Sequence, residues 1–218
     1  MTVATAARST PRYSSGEYRA DAVVHVVGVT AALIAGVRLI ALPVGPNATD
    51  GALGLAVYAL AMAAMLTFSA AYNLSQQRSR KEWLRRLDHV GIFLAIAGTY
   101  TPLLMRLPSN RAALALTLVW AIALVGALLK LSAPRRYERM GLALYLGLGW
   151  IGLPFIPALA GRLHPDTALL IGIGAVIYTV GVGAYLMERV RYHNVIWHLM
   201  VLAAAGCHYA AIWGESHP

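Results

Sequence analysis

The chain has 218 residues, of which 59% are hydrophobic and 12% charged, and its 18 Lys and Arg against 9 Asp and Glu give a formal charge of +9. Soluble domains carry roughly 25% charged residues, so about half that share excludes an ordinary water-soluble globule and makes lipid the main solvent. The basic residues sit in short segments between apolar runs, a signature of membrane topology rather than of a nucleic-acid surface, and the single cysteine, Cys207, excludes an intramolecular disulfide and a cysteine-based metal cluster.

In chain order, residues 1–16 form a polar, Ser/Thr/Pro-bearing tail that reads as disordered. A single membrane domain is expected over 17–214. Its first apolar run, about 22–43, exceeds the 7–15 residues of a signal-peptide core and reads as a retained span. About 20 apolar helical residues cross a bilayer, and six further stretches qualify: 52–73, 89–105, 111–131, 140–160, 167–187 and 195–213. The third ends near Pro102. Pro154 and Pro157 are expected to distort the fifth, because each removes a backbone donor. The fold class is therefore all-α, a seven-transmembrane helix bundle.

Lys and Arg set the orientation. Fourteen of the eighteen lie in residues 1–20 and in the segments 74–87, 130–139 and 188–194. Arg38, Arg106, Arg111 and Arg162 fall on the other side. The excess predicts that the N-terminus is cytoplasmic and the C-terminus outside.

Polar groups inside spans are costly and mark candidate sites. Ser69 and Asn73, four apart, share one face at the end of span two. Asp88 and His89 open span three, Asn194 and His198 open span seven, and Glu17 and His25 flank the start of span one. The topology puts these ends at one depth, near the cytoplasmic face. Each also has a plainer reading. Asp88 suits an N-terminal cap, His198 a polar core residue, and Ser69 a helix-packing position. His208, Tyr100 and the tryptophans read as packing or interfacial residues, and 78–86 as an orienting, lipid-facing basic loop.

The run FSAAYNLSQQRSRKEWLRRLDHVGIFLAIAGTYTPLLM (68–105) resembles the hemolysin III family, related to the progestin and adiponectin receptors. ERVRYHNVIWHLMVLAAAGCHYAAI (188–212) resembles that family's last span, and GEYRADAVVHVVGV (16–29) its first motif, with Glu17, His25 and Gly28 in place. The resemblance implies a seven-helix bundle with a zinc site at the cytoplasmic face, and it links the chain to a superfamily with ceramidase-like lipid amide hydrolysis. In the receptor branch three histidines hold the zinc. One stands four residues after a serine in span two, and two stand four apart at the start of span seven. An aspartate opening span three bonds the metal-bound water. Here Ser69, Asp88 and His198 match, but Asn73 and Asn194 occupy two of the three histidine positions, and His193 stands one residue early.

A catalytic zinc takes three nitrogen, sulfur or carboxylate ligands and an open position, whereas amide oxygens suit harder cations. The expectation is thus a zinc site that is vacant or weak. In its place stands a polar cluster of Ser69, Asn73, Asp88, Asn194 and His198 tying spans two, three and seven. An Asp88–His198 contact through water or an amide replaces the metal. The functional expectation is a multi-pass cell-membrane protein, lipid-sensing or receptor-like, whose partners are membrane lipids and a lipid ligand held in the bundle. The alternatives are a zinc-dependent lipid amide hydrolase using Asp88 and Ser69, and a cytolysin.

Overall fold

A computed structural model describes residues 14–41, 48–132, 138–159 and 161–216. These form α1 (Ser15–Ala41), α2 (Ala48–Leu74), α3 (Arg78–Leu104), α4 (Ser109–Ser132), α5 (Glu138–Trp150), the short α6 (Ile156–Leu159), α7 (Pro165–Leu186) and α8 (His193–Ser216), with no strand among the described residues. Seven helical stretches, counting Met140–Leu159 as one, are long and apolar enough to cross a membrane. They coincide with the seven expected spans, so the chain is an all-helical membrane protein.

Two boundaries differ from the sequence reading. Residues 1–13 of the expected tail lie outside the described residues, but Ser15 and Gly16 already belong to α1. Ser14 begins the helix with a capping box: its Oγ accepts from the Glu17 amide at 3.2 Å, and Glu17 Oε2 accepts from the Ser14 amide at 2.9 Å. The basic stretch expected as a loop over 78–86 is instead the first turns of α3. Nothing between Arg78 and Val90 is Gly or Pro, and Arg, Lys, Glu and Leu are good helix formers. Its cations close neighbouring helices. Lys81 Nζ donates to the Tyr72 and Ser75 carbonyls at the end of α2, at 2.6 and 3.1 Å. Arg86 Nη1 donates to Leu131 O at the end of α4, at 2.5 Å. Positive charge at a helix C-terminus complements the unpaired carbonyls and the dipole.

Pro154 and Pro157 act as expected. Helix α5 stops at Trp150, and the chain continues through a 3₁₀ turn, Leu153–Phe155, into α6. Tyr100 holds this break in place, donating to Gly149 O at 2.6 Å and accepting from Gly152 N at 3.0 Å. Helix α3 ends at Leu104, near Pro102 as expected.

Helix α3 stands at the centre, and two apolar cores meet on it. One joins Met62, Met65 and Leu66 of α2 to Ala95 of α3 and Val201 and Ala205 of α8. The other joins Phe93 and Ala97 of α3 to Ala115, Val119 and Ala123 of α4 and Leu148 of α5. Helices α2 and α3 approach closely because Gly98 faces Ala61, where an added Cβ would come within 2.6 Å of the Ala61 Cβ. Helix α1 packs on α2 and α8, and α7 on α8, while α5 and α7 meet only sparingly. Large side chains such as Val23, Val27, Leu114, Leu128 and Val180 face outward, as lipid allows.

Candidate functional site

The loose contact between α5 and α7 leaves a cavity of about 1010 Å³ beside α3, at the upper end of the roughly 300–1,000 Å³ of small-molecule sites. Its wall runs along α3 from Arg85 to Leu103, a rise of roughly 27 Å at 1.5 Å per residue. Apolar residues of α3, α5, α7 and α8, among them Ile92, Leu146, Val182 and Val201, line much of it. Ser69, Asn73, Asp88, His89, Asn194, His198 and His25 line one end.

That end is assembled from four helices. On α2, one turn separates Ser69 from Asn73, and Asn73 Nδ2 donates to Ser69 O at 3.0 Å. Ser69 presents its hydroxyl to the Asp88 carboxylate across to α3. Asn194, in the first turn of α8, donates from Nδ2 to Asn73 Oδ1 at 3.4 Å. The two asparagines therefore bridge α2 and α8. His89 is occupied locally, since its Nδ1 donates to Arg85 O at 2.7 Å.

The structure gives His198 a direct partner that the sequence reading did not name. Its Nδ1 lies 2.6 Å from Asp21 Oδ1 on α1. The reason is rotational: His198 looks toward α1, where Asp21 and His25, four apart, present one face. His25 Nε2 lies 3.6 Å from Asp21 Oδ2, and the His25 and His198 rings stand 4.3 Å apart. All three residues are buried, at 2%, 4% and 7% exposure for Asp21, His25 and His198. Sequence reasoning missed Asp21 because it fell just outside the apolar run begun at residue 22. The available signal was its spacing, one turn before His25.

Glu17 and His193 lie elsewhere. Glu17 Oε1 accepts from the Tyr192 amide at 2.8 Å, joining the start of α1 to the turn before α8. His193 is the first residue of α8 and lies off the cavity wall, its Nδ1 buried without a hydrogen-bond partner. His208 lines the cavity's far half, with Nε2 3.3 Å from Ile171 O, and packs so tightly on Gly174 that an added Cβ there would meet Nε2 at 2.5 Å. This matches its reading as a packed histidine.

Residues 18–209 match the model of the family described as Haemolysin-III related. The chain belongs to this family. It is similar to the hemolysin-3 homolog of Bacillus subtilis, 26% identical over 88% of this chain and 91% of the relative. It is also similar to hemolysin-3 of Bacillus cereus, 28% identical over 85% of each chain. The human monocyte to macrophage differentiation factor is 27% identical over 72% of this chain and 68% of its own length.

Zinc, the metal the family resemblance implies, can be tested against these residues. At the three-histidine position the chain offers two carboxamides and one imidazole, the carboxamides face each other, and His198 is turned to Asp21. That donor set is wrong for zinc, and the family's position does not fit the metal in this chain. Beside it, however, Asp21, His25 and His198 bring one ligand atom each within 4.8 Å of one another.

Proposed function

We propose that this family member is a lipid-binding, sensor-like protein of the cell membrane, which holds a lipid lengthwise in the cavity with its polar group at the Asn73–Asp88–Asn194 end. The single observation carrying this reading is the cavity itself. It is apolar along most of a length close to the roughly 30 Å bilayer core, and polar at one end. Sparse contact between α5 and α7 supplies a lateral route for a lipid chain from the bilayer. The basic excess at the end bearing Arg78–Arg86, Arg189 and Arg191 supports a cytoplasmic location for that end.

Catalysis is the weaker reading, because a hydrolase of this family's kind needs a metal-bound water beside Asp88, and carboxamides stand at two of the three ligand positions there. The hemolysin name belongs to the Bacillus relatives. Seven retained spans do not suit a released pore-former.

The test is lipid retention. The protein purified in mild detergent is extracted and its lipids are measured by mass spectrometry, beside an Ala175→Phe variant that fills the apolar wall. A defined lipid class enriched in the native protein and depleted in the filled variant supports the reading. Equal, unselective lipid in both sinks it.

A further inference from the structure

We propose that this chain binds a divalent transition-metal ion, zinc foremost, through Asp21, His25 and His198, at a position that joins α1 to α8 and is distinct from its family's three-histidine site. The inference goes beyond the lipid reading and does not depend on it.

Three observations carry it. The first is the donor set. Two imidazoles and one carboxylate form the set of catalytic zinc sites that keep a fourth position open, and imidazole is the ligand most general to zinc, copper and nickel. The second is geometry. In a tetrahedral site with bonds of 2.0–2.1 Å, neighbouring ligand atoms stand roughly 3.3 Å apart. One ligand atom from each of Asp21, His25 and His198 lies within 4.8 Å of the other two, with Asp21 Oδ1 2.6 Å from His198 Nδ1 and Asp21 Oδ2 3.6 Å from His25 Nε2. Ligation asks for the Asp21–His198 contact to open and the outer separations to close, along side chains carried by two packed helices.

The third is an unmet need. His25 Nε2 is buried and has no hydrogen-bond partner, since the Asp21 carboxylate is too far away. Buried polar atoms are nearly always paired, and an orphan aimed at a carboxylate and a second imidazole asks for a ligand. A metal ion would take the lone pair of that nitrogen and neutralise the buried carboxylate beside the two rings. Because His25 and His198 also line the cavity, the fourth position would open toward its polar end.

In this arrangement His198 of α8 turns to α1, and the carboxylate comes from Asp21, one helical turn before His25.

The experiment uses the full chain in detergent, free of any affinity tag, stripped with a chelator and then dialysed against zinc. The expected result is about one equivalent of zinc per chain. X-ray absorption at the zinc edge should report nitrogen and oxygen ligands only, with scattering from two imidazole rings. His25→Gln and Asp21→Asn should each lower zinc affinity at least about tenfold, since the loss of mere supporting partners already costs 10–100-fold. A native protein that retains no zinc overturns the proposal. So does zinc whose spectrum contains one imidazole or none, a result that needs no variant to fold. Zinc binding unchanged in both variants overturns it as well.

Discussion

His198 Nδ1 and Asp21 Oδ1, 177 residues apart in the chain, stand 2.6 Å apart and buried where α8 crosses α1. Removing one partner of such a pair strands the other in a low-dielectric interior, at a cost of about 3–5 kcal/mol. With metal chelated, His198→Ala and Asp21→Ala should each destabilise the protein by that order in unfolding experiments in detergent. The double variant should lose much less than the sum of the two. Strictly additive losses would show that the two side chains do not act on each other.

The amide bridge between Asn73 and Asn194 yields a second expectation. These residues stand where the family resemblance puts two zinc histidines, with His198 as the third. In an Asp21→Asn background, which removes the α1 carboxylate, Asn73→His combined with Asn194→His should create tight zinc binding with three imidazoles. Elemental analysis and zinc-edge absorption measure it. A triple variant that takes up no zinc means the residue-by-residue match to the family pattern is wrong.

Much of this architecture could be read from the chain, for a physical reason: lipid leaves few options. Runs of about 20 apolar residues must be helices, and Pro154 and Pro157 mark where α5 must stop. Residues that line the polar end of the cavity were also legible, because Ser69, Asn73, Asp88, Asn194 and His198 sit at span ends that topology brings to one depth. Pairing was not legible. Which group His198 pairs with directly depends on the rotation of α8 about its own axis. One residue turns a helix by about 100°, and hydrophobic patterning constrains that angle weakly when lipid surrounds most faces. A different cause set the expected start of the third span at residue 89. Hydropathy marks where the helix enters apolar surroundings, while hydrogen bonding carries it back to Arg78.

Glu17 provides a third test, one of local order. Its carboxylate closes the capping box with Ser14 and also accepts the Tyr192 amide, whose residue has a φ of 61°. Glu17→Ala removes both bonds, so the start of α1 and the turn before α8 lose their common anchor. Amide exchange at Tyr192 should accelerate by about tenfold or more, while exchange in the middle of α3 stays unchanged. Unaltered exchange at Tyr192 would mean that other contacts hold the turn.

The packing of α3 on α2 gives the last test, because Gly98, within the run that carries the family resemblance, faces α2 at close range. An added Cβ at Gly98 would lie 2.6 Å from the Ala61 Cβ, well inside van der Waals contact. Gly98→Ala must push α2 away from α3 or strain both, and overpacking of this kind costs about 1–3 kcal/mol. Helix propensity alone predicts the opposite sign, since Ala is favoured over Gly by roughly 1 kcal/mol in a helix interior. The two effects are separated by the compensating change. If the contact decides, Gly98→Ala lowers stability, and adding Ala61→Gly recovers more than half of the loss despite putting a new glycine in α2. Thermal unfolding of the three variants in one detergent measures this. A stabilised Gly98→Ala protein would mean that the helices have room to part, and that the glycine is not what sets their distance.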